Sequence, residues 1–439
     1  MVNQAQLTYE KLIAEMNHQM LVTDGNRVAI LQDLLAALDH PDHAYQIIHI
    51  AGTNGKGSTG AMLNAILQKN GYHVGRFSSP AMLDDREQIQ LDGHLISYDQ
   101  FLAAYHLISQ TVTAKVAKTP LSIFEWFTLI ALVAFKQANV DFVILEVGLG
   151  GKNDATNAID APLLSVITHI DYDHTQILGK TIRKIATQKA GIIKSGAAVI
   201  VAPAQKRVTR QVLRQTAKVN HTPIHFVREL HVKILEETPR GTTVTLSGPL
   251  IPAQTIHLRL LGTFQIANLA TVLSTVTWLQ QHHVNLATAN VHAALAEIQI
   301  PGRMQVLQRQ PTVFLDGAHN PDGAKQLAQT LRTLYPHQKF VFLLGFLADK
   351  NYFEMLQIYL PLAKAVYVNT PSQHARALTQ AQLKAVILRD CHFPKDRVFA
   401  EPTSADNLTS AKQKATANDV IVITGSFYFI KQFEGELHV

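Results

Sequence analysis

The stretch QIIHIAGTNGKGST at residues 46–59 is the most informative about the fold, because an apolar run passes there directly into a glycine-rich loop. The apolar part, Gln46–Ile50, predicts a buried strand, and aliphatic residues then recur at helical spacing over Ala61–Leu67. Another apolar run, Val74–Ser78, predicts the next strand. A strand, a glycine loop, a helix and a second strand form a βαβ unit, which can present backbone amides to a phosphate group.

Outward from this unit, short apolar runs alternate with helical patterns along most of the chain, which predicts an α/β fold with a largely parallel sheet. Residues 224–260 differ, since polar and apolar residues alternate there around a Pro-Arg-Gly turn, and this pattern predicts an antiparallel excursion. The other elements predicted before residue 300 are strands at 141–147, 163–170 and 197–202 and helices at 123–140, 264–282 and 286–298.

A domain boundary is predicted at Ile300-Pro301-Gly302-Arg303, where a proline–glycine break follows a helical stretch. The 439 residues also exceed the roughly 250–300 at which a single core stops growing. We therefore expect a domain with a phosphate-binding loop (P-loop) and a mostly parallel sheet over 1–299, and a smaller Rossmann-like α/β domain over 300–439. The elements predicted in the second domain are strands at 312–315, 340–346, 365–368 and 420–424 and helices near 322–335, 379–388 and 404–417.

Composition narrows the class of protein. The net charge of +6 is a mild excess that suits small anionic substrates and is too weak to indicate nucleic acid. Cys391 is the only cysteine, which excludes an intramolecular disulfide and favours a reducing, cytoplasmic setting. Glu10, Lys11 and Glu15 lie where a signal peptide needs an apolar run, and the longest apolar stretch, 126–135, is about half a membrane span. We expect a cytoplasmic enzyme without a membrane or nucleic-acid partner.

The loop Gly52–Ser58 is similar to a phosphate-binding loop but departs from the usual GxxxxGK[ST] string. Ile50 stands where the first glycine belongs, and Gly57 separates Lys56 from Ser58. The loop can still bind a phosphate group despite this change, because the glycines let phosphate oxygens approach the backbone and Lys56 supplies positive charge. The Ser58 hydroxyl can bind Mg²⁺. The alternative is a glycine-rich turn without a ligand.

Glu146 stands near the end of an otherwise apolar strand, at the edge of a parallel sheet where ligands bind. A carboxylate there needs a partner, and Mg²⁺ fits because it takes one or two carboxylates together with phosphate oxygens. The alternative is an ion pair between Glu146 and a nearby lysine or arginine.

The string THIDYDH at residues 168–174 also follows a predicted strand. His174 is either a metal ligand or a hydrogen-bonded loop histidine. Lys184, Lys189 and Lys194 fall in the helical stretch Thr181–Lys194, and by spacing alone they predict a solvated face.

The string LDGAHNP at residues 315–321 opens the first strand-to-helix turn of the second domain. Asp316 ends the strand, and Pro321 can take the first position of the helix. Asp316 and His319 are candidates for a binding site, or alternatively they cap the following helix.

Together these strings resemble the folylpolyglutamate synthase / dihydrofolate synthase family, a branch of the ATP-dependent Mur-type ligases, over Arg27 to Phe427. The resemblance implies the Mur ligase architecture, in which a nucleotide-binding N-terminal domain and a smaller C-terminal domain have the active site in the cleft between them. The strings that carry it are GTNGKGS, FSSP at 77–80, EVGLGG with DATN, ITHIDYDHTQILGKTIRKIATQKAGIIK, PGR at 301–303, LDGAHNP and ITGS at 423–426.

The resemblance also implies roles for single residues. The catalytic residues would be Lys56, Glu146, His174 and Lys189, with Lys189 carried as a carbamate, which turns a cation into an oxygen ligand. Two Mg²⁺ ions would be held by Ser58, Ser79, Glu146, His174 and the Lys189 carbamate. ATP would contact Thr53, Asn54, Gly55, Lys56, Gly57, Ser58, Asn268, Arg303 and Asp316. Phe124 and Asp154 would lie at the edge of the pterin-bearing substrate's site, and His319 and Ser426 near the incoming glutamate.

Three positions depart from the family pattern. Lys152-Asn153 replaces the usual Arg-Leu before DATN, Asp349-Lys350-Asn351 replaces Asp-Lys-Asp, and Ala81 stands where histidine or phenylalanine is usual. None of them removes an implied metal or phosphate ligand. The first and the third lie where substrate preference can change, so they bear on pterin selectivity.

The activity that the resemblance implies is ATP-dependent addition of L-glutamate to the carboxylate of a folate, in a monomeric enzyme, through an acyl phosphate. It leaves open whether dihydropteroate is a second acceptor. The rivals are a cell-wall Mur ligase, a P-loop kinase that stops at phosphoryl transfer, and a nucleotide-binding regulatory protein with a decayed site. DATN and LDGAHNP argue against the first rival, and the retained residues Lys56, Glu146 and Lys189, with Ser58 and His174, argue against the last.

Overall fold

The computed structural model describes residues 4–18, 27–81, 84–116, 120–371 and 375–436. The chain divides into two compact units. The first comprises the described residues within Met1–His231, Leu246–Gln254 and Ala267–Leu295, and the second those within Val232–Thr245, Thr255–Ile266 and Ala296–Val439.

The helices and strands have the following limits. The helices are α1 Gln4–His18, α2 Val28–Ala37, α3 Lys56–Lys69, α4 Tyr98–Val116, α5 Ile123–Gln137, α6 Thr175–Leu178, α7 Ile182–Lys189, α8 Arg207–Val219, α9 Thr263–Gln281, α10 Thr288–Glu297, α11 Pro321–Leu334, α12 Tyr352–Tyr359, α13 Gln380–Arg389, α14 Ser404–Lys414 and α15 Phe427–Ile430. The strands are β1 Gln46–Ala51, β2 Val74–Phe77, β3 Ile89–Leu91, β4 His94–Leu95, β5 Phe142–Glu146, β6 Leu164–Ile167, β7 Ala198–Val201, β8 Ile224–Phe226, β9 His231–Thr238, β10 Gly241–Gly248, β11 Ile251–Leu258, β12 Gln305–Arg309, β13 Thr312–Asp316, β14 Phe340–Leu344, β15 Ala363–Val368, β16 Val398–Phe399 and β17 Val420–Thr424.

The first unit is built on an eight-stranded sheet in the order β4-β3-β2-β5-β1-β6-β7-β8. Pairing is parallel from β2 through β8, and only β3 and β4 at one edge are antiparallel. β1 lies between β5 and β6 with all but its first residue buried, which is why its sequence is a continuous apolar run. The predicted α/β fold with a largely parallel sheet is confirmed, and β1, α3 and β2 form the predicted βαβ unit.

The prediction for residues 224–260 is partly wrong. Ile224–Phe226 forms β8, which pairs in parallel with β7 and so extends the main sheet. This strand has only three half-buried residues, and its alternating sequence does not distinguish it from the hairpins that follow. β9, β10 and β11 do form a separate three-stranded sheet. Its cross-strand contacts Thr243–His257 and Thr245–Thr255, both 3.1 Å, run in opposite senses along the two strands, as antiparallel pairing requires.

The second unit contains a six-stranded sheet in the order β12-β13-β17-β14-β15-β16. β12 is antiparallel to β13, and the remaining pairs are parallel, which confirms the expected second α/β sheet. β13, β14 and β17 are buried almost throughout, and each coincides with a strand predicted from an apolar run.

Helix α5 contains the longest apolar run of the chain and packs it inside the first unit. Its start is fixed by a capping box, in which the Ser122 hydroxyl accepts a hydrogen bond from Glu125 N and the Glu125 carboxylate accepts one from Ser122 N. Across the described residues, no helix combines the length and apolarity that a membrane crossing requires.

Candidate active site

The loop between β1 and α3 is held against the segment that follows β6. Thr53 N donates to the His169 carbonyl at 2.8 Å, and Asn54 forms an isolated bridge with the same residue. The Thr53 hydroxyl donates to the Asp171 carbonyl at 2.9 Å. Gly55 has φ +92°, a left-handed conformation that lets the chain turn from the loop into α3 without a Cβ clash. The loop therefore opens at the carboxyl edge of the parallel strands, where ligands of such sheets bind.

Two lysines converge on one carbonyl of this loop. The Gly52 carbonyl accepts from Lys189 Nζ at 2.6 Å and from Lys56 Nζ at 3.3 Å. A Cβ on Gly52 would lie 1.8 Å from Thr168 Oγ1, so only glycine fits at this position. Positive charge therefore gathers where an anionic ligand would approach the loop amides.

Lys189 is buried at the end of α7, with 5% of its surface exposed. Burial, and next the positive charge of Lys56, lower the pKa of Lys189 to about 7. The predicted solvated face is therefore wrong for this residue, and also for Lys194, which is half-buried and donates to the carbonyls of Asn157 and Ile159. It holds for Lys184, which is exposed. The spacing in sequence is the same for all three lysines, so it predicts the same exposure for each. Neighbouring elements cover only part of this stretch, and sequence spacing does not show which part.

Glu146 is the last residue of β5 and is buried beside the loop. Its Oε1 atom lies 3.9 Å from Lys56 Nζ, so the ion-pair alternative is realised. Arg76 on β2 adds a second cation, which donates to the Gly57 carbonyl at 3.4 Å. Burial lowers the pKa of Arg76, while the charge of Glu146 raises it. A carboxylate with cations and an open loop beside it is also suited to share a divalent ion with a phosphate.

The remaining predicted metal ligands of this unit lie in the loop and in two turns. Ser58, in the first turn of α3, is buried. His174 has φ +47°, immediately precedes α6, and leaves 37% of its side chain exposed, with Nε2 at 3.8 Å from Asp173 Oδ2. Ser79 is half-buried in the turn after β2, where Ser78 N donates to the Gln88 carbonyl at 3.0 Å.

Asn268 is brought to the same loop from a distant part of the chain. It is buried on α9, and a Cβ on Gly55 would lie 2.3 Å from its Oδ1 atom. The predicted nucleotide contact and the predicted phosphate loop are therefore neighbours within the first unit.

Arg303, Asp316, His319 and Ser426 lie in the second unit. Arg303 stacks on the Phe427 ring at 4.8 Å, and the His319 ring lies 5.8 Å from that same ring. Burial raises the pKa of Asp316 and Arg303 opposes this rise. Asp316 accepts from Met304 N and Ala318 N, both at 2.9 Å, so it braces its own turn.

Asp316 and His319 do not cap α11, as the alternative interpretation suggested, because Asn320 takes that role. The Asn320 side chain accepts from Gly323 N at 2.8 Å and caps α11, with Pro321 at the predicted first position. Ser426 caps α15 by accepting from Phe429 N at 3.1 Å and also donates to the Gly345 carbonyl at 3.2 Å.

Phe124 and Asp154 both contact the glycine-containing segment that follows β5. A Cβ on Gly148 would lie 2.5 Å from Phe124 Cζ. Asp154 accepts from Leu149 N at 2.7 Å and from Thr156 N at 3.0 Å, which ties the glycine segment to the turn after it. Burial raises the pKa of Asp154, and these hydrogen bonds oppose the rise.

Sequence reasoning missed three contributors to the site. The Gly52 carbonyl and the His169 backbone act through main-chain atoms, which carry no side-chain signal. Arg76 did carry one, because a charged residue inside the apolar strand VGRF needs a partner.

Comparison with known proteins identifies the family. The Mur ligase middle domain matches residues 50–276, and the Mur ligase glutamate ligase domain matches residues 302–427. The dihydrofolate synthase/folylpolyglutamate synthase of Bacillus subtilis (strain 168) is 32% identical over 412 residues, which cover 93% of this chain and 94% of that protein.

Solved structures agree. The structure of Mycobacterium tuberculosis folylpolyglutamate synthase complexed with ADP and AMPPCP matches with a TM-score of 0.84 and 31% identity, covering 94% of this chain and 95% of that one. E. coli FolC in complex with DHPP and ADP matches with a TM-score of 0.83 and 27% identity, covering 99% and 98%. This chain belongs to the dihydrofolate synthase/folylpolyglutamate synthase family of Mur-type ligases.

Proposed function

We propose that the chain joins L-glutamate to a carboxylate of a folate, using ATP and releasing ADP and phosphate, with dihydropteroate as a further acceptor to be tested. The observation that carries this proposal is the convergence of Lys56 and Lys189 on the Gly52 carbonyl, with Glu146 at 3.9 Å from Lys56. This group of charges lies at the end of a βαβ phosphate loop and suits a triphosphate with its cation.

The reaction needs activation because a carboxylate oxygen is a poor leaving group. Transfer of the γ-phosphoryl group of ATP to that oxygen gives an acyl phosphate, which the amine of glutamate then attacks with loss of phosphate. Lys56 and the loop amides stabilise the charge on the transferred group, so the protein contributes mainly position and electrostatics. No protein nucleophile is required.

We assign Mg²⁺ to the oxygen donors at this loop, Ser58, Ser79, Glu146 and a Lys189 carbamate, together with His174. The donor set fits, since Glu146 is a buried carboxylate beside the loop and Mg²⁺ prefers oxygen ligands. When bound, Mg²⁺ would neutralise phosphate charge and orient the γ-phosphoryl group. Two ions are expected from the resemblance.

The Lys189 carbamate is supported by the state of its amine. With a pKa of about 7, a large share of the Lys189 side chains is uncharged at neutral pH. The uncharged nitrogen can add to CO₂ and lose a proton to solvent, giving an N-carboxylate. This product replaces a cation by an anion beside Lys56, and so removes the repulsion that lowers the pKa of Lys189.

We assign the remaining contacts with the nucleotide and with the incoming glutamate mainly to residues of the second unit. Arg303 and Asp316, with Asn268 of the first unit, are proposed to contact the nucleotide, and His319 and Ser426 the incoming glutamate. Asp316 and Ser426 already make hydrogen bonds to their own turns, which supports a role in holding those turns in shape. We also propose domain limits of 1–299 and 300–439, which the start of the glutamate ligase match at residue 302 supports.

Phe124 and Asp154 are proposed to form the edge of the acceptor site. The Phe124 ring packs against Gly148 and at 5.6 Å from Phe77, and so offers an aromatic face of the kind that a pterin ring stacks on. Asp154 acts through the segment it ties down.

The deciding experiment offers the purified protein dihydropteroate and tetrahydrofolate separately, each with MgATP and glutamate. We expect ADP release that needs both glutamate and an acceptor, and a product heavier than its acceptor by one glutamate residue. Product mass then names the acceptor.

The rival functions give different results in the same assay. A P-loop kinase would release ADP without glutamate, and a regulatory protein with a decayed site would release none. A cell-wall Mur ligase would also release none with these acceptors, and would turn over only when a nucleotide–peptide acceptor is added. Any of these outcomes would overturn the proposal.

A further inference from the structure

A second group of chemically active side chains lies away from the phosphate loop. It consists of His40, Asp42, His43 and Asp160, and we refer to it as the amino-edge cluster. Three of these residues lie in the turn before β1, and Asp160 lies a few residues ahead of β6. Because β1 and β6 pair in parallel, both strands start at one edge of the sheet, and the phosphate loop follows β1 at the opposite edge.

The four side chains are spaced as metal ligands are. One ligand atom from each residue lies within 4.8 Å of those from the other three. The separations are 2.6 Å for His43 Nε2–Asp160 Oδ2, 3.7 Å for His40 Nδ1–Asp42 Oδ1 and 3.9 Å for His43 Nε2–Asp42 Oδ2. Tetrahedral zinc with bonds of about 2.0–2.1 Å separates its ligand atoms by about 3.4 Å, so each of these three distances needs to change by less than about 1 Å and the other separations by no more than about 1.5 Å.

Unpaired buried atoms point to a missing partner in this cluster. The Asp42 side chain is only 2% exposed, and its Oδ1 atom has no hydrogen-bond partner among the described residues. The same holds, within that part of the chain, for the buried Nδ1 atom of His40, which faces this oxygen at 3.7 Å. Leaving a buried carboxylate oxygen unpaired is costly, and a cation bound between the two atoms would satisfy both.

The surroundings allow a cation to reach the cluster. Asp42, His43 and Asp160 line a cavity of about 270 Å³. The side chains of His43 and Asp160 are 53% and 63% exposed, so both can adjust their rotamers. Lys194, whose charge interacts with Asp42 and Asp160, donates to the carbonyls of Asn157 and Ile159. The cluster is therefore accessible from solvent, and its buried oxygen is not taken by that lysine.

We propose that His40, Asp42, His43 and Asp160 bind one Zn²⁺ ion, which fastens the turn before β1 to the segment before β6. Two imidazoles with two carboxylates suit zinc, whereas Mg²⁺ and Ca²⁺ prefer oxygen ligands alone. The ion joins positions 117 residues apart in sequence, and its role is structural because the cluster lies at the edge of the sheet away from the phosphate loop.

The test uses the full-length, tag-free protein, stripped with a chelator and then titrated calorimetrically with Zn²⁺ alone as the probe. Millimolar Mg²⁺ is present throughout to occupy the proposed ligase site. The test variants are His43→Gln and Asp160→Asn. The matched control is His73→Gln, because His73 Nδ1 also lies close to one carboxylate, Asp92 Oδ2 at 3.0 Å, on the surface of the same unit.

We expect the parent protein and His73→Gln to bind one more zinc per chain than the two test variants, or to bind it at least about tenfold more tightly. Loss of an outer-shell partner alone weakens metal binding by about 10- to 100-fold, and a direct ligand should matter no less. Zinc should also raise the melting temperature of the parent and control only.

Equal zinc stoichiometry and equal Kd in all four proteins would overturn the proposal, as would an equal rise in melting temperature. Asp160→Asn keeps the test decisive if His43→Gln folds poorly, because the Asp160 side chain is largely exposed. Ligase activity with MgATP should be unchanged in each variant when the protein is kept below its melting temperature.

Discussion

At the scale of single residues, Lys189 departs most from the behaviour of an ordinary lysine. Its ammonium would be buried, would face Lys56 and has the Gly52 carbonyl as its acceptor. Each of the first two conditions disfavours the charged form, which makes the amine available for chemistry at neutral pH. A buried lysine with a lowered pKa, whose amine contacts a candidate phosphate loop, is a functional candidate on physical grounds.

Lys189→Ala should reduce ligase turnover by about a hundredfold or more while keeping the fold, because it removes the proposed carboxylate ligand. The measurement is steady-state ADP release, with circular dichroism to check folding. Lys184→Ala is the control, since Lys184 lies exposed on the same helix and should turn over normally. A short carboxylic acid added to Lys189→Ala should restore part of the activity.

The pH dependence of activation tests the same residue. The pKa of Lys189 is lowered to about 7, so its uncharged fraction grows as the pH rises through that value. In protein freed of CO₂, activation by added bicarbonate should therefore be greater above pH 7 than below it. Near-normal turnover in Lys189→Ala, or activity indifferent to CO₂ removal, would contradict the carbamate.

Local spacing could not predict this environment. Lys184, Lys189 and Lys194 look alike in sequence, and it is the contacts with the loop after β1 and the loop after β5 that distinguish buried Lys189 from exposed Lys184. The role of Lys189 came from the family resemblance. The carbonyl that binds it is invisible to any reading of side chains.

At the scale of elements, the turn from the loop into α3 depends on one glycine. Gly55→Ala should destabilise the protein by about 1 kcal/mol or more, because alanine is strained at φ +92° and its Cβ would meet Asn268 Oδ1 at 2.3 Å. Urea unfolding measures the change.

Gly57→Ala is the matched control for that prediction. A Cβ there meets only Glu146 Oε2, at 3.7 Å, and Gly57 lies in the first turn of a helix, where alanine is favoured over glycine. Its free energy of unfolding should be unchanged or slightly higher. Equal losses in both variants would show that the backbone conformation of Gly55 is not what limits substitution.

The elements that could be predicted from sequence are those whose burial on both faces requires an uninterrupted run of apolar residues. β1, β5, β14 and β17 are buried almost throughout, so their apolar runs stand out from the flanking turns. α8 was missed because its buried residues, such as Val212 and Leu213, are spread among arginines and glutamines. The other elements not predicted were α1, α2, α4, α6, α12, α15, β3, β4, β12 and β16.

At the scale of the whole molecule, contacts between distant positions hold the first unit together. Arg27 Nε donates to Glu125 Oε1 at 2.6 Å, and the guanidinium also reaches the Pro120 carbonyl at 2.8 Å. Glu125 is buried, so removing Arg27 leaves a carboxylate without its cation. Arg27→Ala should lower the free energy of unfolding by about 3 kcal/mol, measured by urea titration.

An exposed ion pair of the same unit provides the control. Lys136 Nζ lies 3.0 Å from Asp39 Oδ2, whose side chain is almost fully exposed. Lys136→Ala should change stability by less than about 1 kcal/mol, since solvent screens such pairs. A similar loss in both variants would mean that burial of Glu125 is not responsible.

The overall plan of two α/β sheets followed from the alternation of strands and helices, and the family from seven strings in order. The division of the chain did not follow as simply. Residues 232–245 and 255–266 belong to the second unit although they precede the predicted linker. The sequence of a hairpin indicates that its strands pair with each other. It does not indicate which unit the hairpin packs against, because that packing depends on contacts between residues far apart in the chain.

The Gly52 carbonyl, which accepts hydrogen bonds from both lysines, determines how this site tolerates amino-acid substitution. Its oxygen belongs to the peptide backbone, so no amino-acid replacement deletes it. A replacement at position 52 instead drives a side chain into Thr168, which disturbs the architecture long before the recognition chemistry is touched. Because both lysines bind a main-chain atom, substitutions at position 52 can abolish this part of the site by distorting the backbone. They cannot adjust its hydrogen bonding in small steps.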